Sequence, residues 1–317
     1  MNYTSEKYPD ESNSVIQKIN LPGYSGSQKI FIRRDDLIHP AISGNKWRKM
    51  KYNLAEMERL AKTGILTFGG AFSNHIYATA AVGKLYGYKT IGIIRGESYN
   101  PLNPTLQYAF SSGMELYYLS RKEYPQKENH PLIKKLQNDD PGLYILPEGG
   151  TNFFALKGAA EITVSPADNF DYYCTASGTG GTAAGILTGV SSRQKVIAFP
   201  ALKNGGFLRE IIINLASVHI QKFENNLEVK TEYHFGGYAK VKSELIEFME
   251  AFQKLNSIAL DPVYTGKMMF GVRDMCQKGD FDPESRILCI HTGGLQGNLG
   301  MKSIIEKKIK NRILRDV

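Results

Sequence analysis

The chain is poor in cysteine and tryptophan, with three of the first and one of the second in 317 residues. Cys174, Cys276 and Cys289 are too few and too far apart for a disulfide framework, and their apolar neighbours predict buried free thiols. No grouping of cysteines and histidines has metal-ligand spacing, so no metal site is expected. No apolar run approaches the roughly 18 residues of a membrane span. The N-terminus also lacks the apolar core of a signal peptide, which points to a cytoplasmic protein without membrane contact. Repeats and low-complexity tracts are missing too, which excludes a solenoid and a long disordered arm. The first 25 residues, with Ser, Asn, Glu and Lys interspersed, read as a loose end.

The formal net charge of +8 raises nucleic acid as a partner, but the basic residues are dispersed rather than striped. The exception, Lys302 to Arg315, reads as a C-terminal helix with a solvated basic face. Nucleic acid is therefore not expected. A basic protein draws in phosphate groups and carboxylates instead.

With 42% hydrophobic residues the chain can bury a large core, in one large domain or two intimately joined ones. Short apolar runs at 65–68, 90–94, 115–119, 144–146, 172–175, 195–199 and 287–291 alternate with helical stretches. That alternation predicts an α/β protein with open, mostly parallel sheets flanked by helices.

Four motifs, with a further Thr-Gly-Gly turn at residues 292–294, sit at the ends of these elements. Gly44-Asn45-Lys46-Trp47-Arg48-Lys49 hands a tight turn over to a helix and places Lys46 at the junction. Taken alone it reads first as a solvated basic helix face, the usual role of a Lys/Arg cluster at a helix start. Phe68-Gly69-Gly70-Ala71-Phe72-Ser73-Asn74-His75 reads as strand, turn and helix. Ser73 or Asn74 fits the N-cap, and Ser73, Asn74 and His75 are offered with free N–H groups to an anion such as a carboxylate. Ser177-Gly178-Thr179-Gly180-Gly181-Thr182 follows an apolar strand and opens a small-residue helix. It lacks the Gly-Lys-Ser/Thr of a nucleotide-binding loop and the spacing of a dinucleotide fingerprint, so a single phosphate is the expected occupant. Tyr264-Thr265-Gly266 and His291-Thr292-Gly293-Gly294 complete the set. Glycine-rich strand ends and one lysine can line a single crevice at the carboxyl edge of a parallel sheet.

In this order the motifs resemble the pyridoxal-phosphate enzymes of the tryptophan-synthase-β fold, known as fold type II. Within them the likeness is to the group containing D-cysteine desulfhydrase and 1-aminocyclopropane-1-carboxylate deaminase, and it spans roughly residues 30–300. The resemblance implies two sheets with pyridoxal 5′-phosphate between the domains. Residues 1–49 with 154–317 would form a large domain and 50–153 a small one, commonly in a homodimer. It implies that Lys46 holds the cofactor as a Schiff base, with Lys49 near the phosphate and Asn74 reaching the cofactor's 3′ oxygen. Ser177, Gly178, Thr179, Gly180, Gly181 and Thr182 would form the phosphate loop. Ser73, Asn74 and His75 would receive the substrate carboxylate, with Ser73 close to the reacting atoms. Tyr264 would pack beside the pyridine ring, Thr265 would partner its nitrogen, and Tyr238 would be a second active-site tyrosine.

The implied substrate is a small amino acid. The cyclopropane-opening deaminases have a glutamate after the active-site tyrosine, which keeps the pyridine nitrogen protonated, and Thr265 cannot supply that charge. His75 stands where the deaminases have glutamine. Both point to β-elimination, with D-cysteine giving pyruvate, ammonia and sulfide. The freed Lys46 amine would remove the α-proton, which requires burial and the nearby Arg48 and Lys49 to lower its pKa. Tyr264 or Ser73 would protonate the leaving group. The alternatives are a 1-aminocyclopropane-1-carboxylate deaminase and a pyridoxal-phosphate-binding protein without turnover. Glu148 stands where many desulfhydrases are apolar, and Trp47 follows Lys46; both departures bear on the substrate more than on the cofactor.

Overall fold

The computed structural model describes residues 9–42, 44–98, 100–163, 169–217, 224–301 and 305–306. Strands β1 (Ile16–Lys18) and β2 (Lys29–Arg33) lead into helix α1 (Asn45–Arg59). Strands and helices then alternate: β3 (Gly64–Gly70), α2 (Asn74–Tyr86), β4 (Lys89–Arg95), α3 (Pro104–Ser111), β5 (Glu115–Leu119), α4 (Pro131–Asp139) and β6 (Leu143–Leu146). Next come α5 (Phe153–Ala160), β7 (Tyr172–Ser177), α6 (Gly181–Gly189), β8 (Lys195–Pro200), α7 (Leu208–Ser217) and β9 (Leu227–Val229). Helices α8 (Ser243–Asn256) and α9 (Thr265–Lys278) precede β10 (Arg286–Ile290). Every strand expected from the apolar runs is present, while β1, β2 and β9 were not anticipated. β1 and β9 are three-residue strands at the two edges of a sheet, too short for a periodic signal.

Two sheets form. One has the order β5-β4-β3-β6 and is wholly parallel; the other has the order β1-β2-β10-β7-β8-β9, parallel except for the antiparallel β1–β2 pair. Helices cover both faces of the larger sheet, which is why β7 is buried at every position and reads as an unbroken apolar run. Leu245, Phe252, Met268 and Met269 pack on one face; Ala183, Ile186, Leu187, Leu208 and Ile212 pack on the other. Met50, Leu54 and Met57 of α1 pack with Ile65, Ala78 and Val82 against the smaller sheet. The strand order reverses beside β3 in the smaller sheet and between β10 and β7 in the larger, and a crevice opens at the carboxyl ends of such strands.

The N-terminal segment departs from expectation. Within residues 9–25, Ile19 and Leu21 are buried, and β1 pairs with β2. Glu11 accepts from the Trp47 indole at 3.0 Å and pairs with Arg48 at 3.0 Å and Lys51 at 2.6 Å. A segment that carries the carboxylate for a basic helix start is held down by it. Arg48 is itself buried against Asp35, its Nε donating at 2.5 Å. The basic tail from Lys302 lies almost wholly outside the described residues. The three cysteines are free and buried, and no helix among the described residues is long and apolar enough to cross a membrane.

Candidate active site

A cleft of about 1530 Å³ lies across the carboxyl ends of both sheets. It is lined by Lys46, Lys49, Ser73, Asn74, His75, Ser177, Gly178, Thr179, Gly180, Gly181, Thr182, Tyr238 and Tyr264. Of the residues expected at the site, only Thr265 is not on its wall.

Lys46 is placed by Gly44, whose φ of +64° and ψ of −140° belong to glycine alone. Asn45 donates from Nδ2 to Thr182 Oγ1 at 2.7 Å, tying the start of α1 to the start of α6. Burial lowers the Lys46 pKa to about 8. One turn on, Lys49 donates to the Gly149 carbonyl and to Thr151 Oγ1, both at 2.9 Å. Burial first and the Lys46 charge second pull its pKa well below the ordinary lysine value.

The 177–182 loop has the chemistry of a phosphate cradle. Ser177 Oγ is buried with no hydrogen-bond partner, and the N-terminus of α6 opens beside it. A Cβ on Gly181 would come within 2.6 Å of Thr151 Oγ1 and 2.9 Å of Lys49 Nζ, so only glycine lets the ammonium approach the loop. Thr179 and Thr151 share a hydrogen bond of 2.7 Å. A buried hydroxyl lacking a partner, free helix N–H groups and an adjacent lysine fit a monophosphate.

Ser73 caps α2: its Oγ accepts from the His75 and Ile76 N–H groups at 3.2 and 3.3 Å, while Asn74 is the first helical residue. Asn74 Oδ1 accepts from Gln296 Nε2 at 3.0 Å, linking this turn to the segment after β10. His75 lies on the cleft wall but is otherwise enclosed, with 3% of its surface exposed. Thr67 Oγ1 donates to the Leu146 carbonyl at 2.8 Å, so at 2.7 Å from His75 Nε2 it accepts, which puts the imidazole proton on Nε2. Burial, then Lys46 and Lys49, hold the His75 pKa well below its ordinary value, and the ring stays neutral.

Thr265 requires a correction. Its hydroxyl donates to Asp261 Oδ2 at 2.6 Å and accepts from the Asp261 N–H at 2.8 Å, and the residue is wholly buried. The Asp261 carboxylate also accepts the N–H groups of Val263, Tyr264 and Thr265, so the pair caps α9 rather than facing a ligand. Thr292, just past β10, is the threonine of the C-terminal motifs that lines the cleft. Tyr264 stands with its hydroxyl 3.1 Å from where a Gly178 Cβ would lie, and Tyr238 packs edge-on to it with ring centroids 6.1 Å apart. Burial, then Tyr238, push the Tyr264 pKa well above the ordinary phenol value. Arg95, Arg121 and Tyr124, farther along the cleft, are lining residues that the motifs did not include. Only their positions at strand ends could have signalled them.

A parallel α/β fold with its cleft at the strand ends, a buried lysine at a helix start and a single-phosphate cradle defines a class of cofactor enzyme. The profile of the pyridoxal-phosphate dependent enzymes matches residues 14–293, and the chain belongs to that family. A Thermotoga maritima protein provisionally named 1-aminocyclopropane-1-carboxylate deaminase is 33% identical, over 84% of this chain and 89% of its own length. The Arabidopsis thaliana bifunctional D-cysteine desulfhydrase/1-aminocyclopropane-1-carboxylate deaminase is 30% identical, over 89% of this chain and 76% of its own. A crystal structure described as that of an ACC deaminase homologue superposes with a TM-score of 0.80 at 26% identity, covering 96% of this chain and 100% of the other. The fold is thus that of the fold type II pyridoxal-phosphate enzymes, with two mostly parallel sheets.

Proposed function

We propose that the chain catalyses β-elimination on a small amino acid in the cleft around Lys46, converting D-cysteine and water to pyruvate, ammonia and sulfide. The observation that carries this reading is the Lys46 ammonium, with its pKa lowered to about 8, on one cleft with Ser73, Tyr264 and the 177–182 loop. Bound pyridoxal phosphate supplies the electron sink that acidifies the substrate's α-proton. Lys46, Lys49, Ser177, Gly178, Thr179, Gly180, Gly181 and Thr182 hold it.

The residues divide the work as follows. Near neutral pH a fraction of Lys46 is the free amine, which accepts the α-proton. Ser73 Oγ already accepts two backbone N–H groups, so its own proton is left for the substrate carboxylate, which the N-terminus of α2 and Asn74 also attract. Neutral His75 supports that wall through Thr67. Tyr264 keeps its proton and hydrogen-bonds the departing sulfur, with Tyr238 beside it. Thr265 brings no carboxylate to the cleft, and Thr292 offers the pyridine nitrogen a neutral hydroxyl. This favours elimination over a reaction that needs a strongly protonated ring.

The test is the visible absorbance of the purified, cofactor-loaded protein before and after D-cysteine, with pyruvate and sulfide measured in the same sample. Lys46→Ala is expected to lose the lysine-bound band and both products; a fully active Lys46→Ala protein would sink the assignment. The names of the Thermotoga and Arabidopsis relatives support a second reading, deamination of 1-aminocyclopropane-1-carboxylate. Release of 2-oxobutanoate from that compound, with no sulfide from D-cysteine, selects it. A homodimer accompanies either reading and is tested by light scattering.

A further inference from the structure

The turn that opens α2 is braced by a segment from the far end of the chain. Residues 294–300, just past β10, lie against it: a Cβ on Gly294 would come within 2.5 Å of Asn74 Nδ2, and one on Gly300 within 3.1 Å of the Phe72 ring. The segment is itself held in place. The Gly297 N–H donates to the Gly294 carbonyl at 2.9 Å, and Asn298 Nδ2 donates to the Leu260 carbonyl at 3.2 Å, next to the Asp261 that caps α9. Gln296 therefore meets Asn74 from a fixed turn.

Their hydrogen bond has a polarity. Gln296 Nε2 donates to Asn74 Oδ1 at 3.0 Å, across 222 residues of sequence. A carboxamide accepts through its oxygen and donates through its nitrogen, so this contact engages the acceptor of Asn74 and leaves its Nδ2 hydrogens. No acceptor for Nδ2 is present among the described residues, and Gly294 brings no side chain to compete for it. Asn74 stands on the cleft wall with Lys46 and Ser73, at a helix N-terminus that already favours negative charge. Turned the other way, the amide would show an anion its carbonyl oxygen and repel it. Gln296 does not line the cleft, so it reaches a ligand only through Asn74.

We propose that Gln296 is a positioning residue, which locks the Asn74 amide so that Nδ2 is offered to an anionic oxygen in the cleft. That oxygen belongs either to the substrate carboxylate or to the phenolate of pyridoxal phosphate, which present the same acceptor chemistry. The inference rests on the elimination reading of the cleft and adds to it the group that sets the donor.

The test replaces Gln296 in the cofactor-loaded protein and reads binding beside turnover. D-alanine, which has the carboxylate but no leaving group, is titrated through the change in visible absorbance. The pH midpoint of the visible band without amino acid reports on the cofactor oxygen. Gln296→Glu keeps the length but, ionised, only accepts, so Asn74 turns to donate to it and shows its carbonyl to the cleft. Gln296→Met removes the contact without adding charge. With the carboxylate as the ligand, the dissociation constant of D-alanine is expected to rise about tenfold in Gln296→Glu and less in Gln296→Met, with the band unchanged. With the cofactor oxygen as the ligand, the midpoint moves up in both variants, because a donor at that oxygen favours its anion. On either arm Gln296→Met is expected to add nothing in an Asn74→Ala background.

A Gln296→Met protein that matches the wild type in both readouts overturns the proposal. An effect of Gln296→Met that persists in full beside Asn74→Ala does the same, and these two variants decide the matter even where Gln296→Glu fails to fold. A wild-type protein that has the band and binds D-alanine but releases no pyruvate from D-cysteine overturns the elimination reading alone, since the binding readouts still decide the role of Gln296. A wild-type protein that takes up no cofactor overturns both.

Discussion

Gly44 and Thr292 are in direct backbone contact: a Cβ on Gly44 would lie 2.0 Å from the Thr292 carbonyl oxygen. The turn that carries Lys46 is therefore seated on the backbone just past β10, so that the lysine and Thr292 share one frame. Gly44→Ala is expected to destabilise the protein by about 3 kcal/mol or more. A side chain at this backbone conformation costs on the order of 1–3 kcal/mol, and the clash with backbone adds to it. Denaturant melts measure the loss, and cofactor retention reports whether Lys46 has moved. An unchanged melt would contradict the contact.

Lys46 makes the stability of the cofactor-free protein depend on pH in a definite direction. Its folded pKa of about 8 lies below the unfolded value of 10.5. Between about pH 8 and 10 the unfolded lysine holds a proton that the folded one has lost, so stability rises with pH across that window. Lys267, lowered to about 8 by burial, adds to the slope with the same sign. Above pH 10 the buried tyrosines act the other way, because their raised pKa values make ionisation easier in the unfolded chain. Urea melts of apo wild type and Lys46→Met at pH 7, 8 and 9 are expected to show a shallower rise in the variant.

The commitment of Thr265 to Asp261 is testable by replacing each. Asp261→Asn leaves the cap of α9 without its charge and is expected to lower stability by roughly 1–3 kcal/mol. Thr265→Glu would bury a second carboxylate beside the first; it is expected to destabilise further and to confer no turnover of 1-aminocyclopropane-1-carboxylate. A stable Thr265→Glu protein with that activity would show that the residue reaches the cleft after all. Thermal melts and 2-oxobutanoate release are the measurements.

Lys267 is buried on α9, and its ammonium donates to the His234 and Gly237 carbonyls at 2.9 and 2.7 Å, with Ala201 O at 3.5 Å. It holds the turn that presents Tyr238. Lys267→Met leaves those carbonyls without a donor and is expected to cost on the order of 2 kcal/mol or more. Amide exchange across residues 233–240 should accelerate while that in β7 does not. Equal protection in both proteins would show that the turn holds without the lysine.

The parts of the fold and site that could be read in advance follow from local chemistry. Strands such as β7 are short apolar runs bounded by glycine-rich turns. Ser73 announces a helix cap, and Gly178 through Thr182 announce an anion cradle, because each depends on neighbours in sequence. Spacing alone left Lys46 as either a tool or a solvated lysine; the order of the motifs and the family resemblance are what pointed to a cofactor.

Contacts outside the motifs decided the rest. Residues 9–25 look loose until Arg48 requires the Glu11 carboxylate, some forty residues away, and Ile19 and Leu21 find a core. Thr265 looks like a ligand contact until Asp261, four residues earlier, turns the hydroxyl inward. His75 reads only as part of an anion-binding turn until Thr67 and the burial of α2 claim its ring. The Arg95, Arg121 and Tyr124 wall has no local signature at all, because it is assembled by parallel strand pairing, which joins residues distant in sequence. The sequence by itself determined most of the strands, the cap of α2, a glycine-rich turn at the start of α6 and a lysine at the start of α1. Only the tertiary structure decided which polar groups spend their hydrogen bonds on one another and which remain for a ligand, since that depends on what each side chain meets once the two sheets are built.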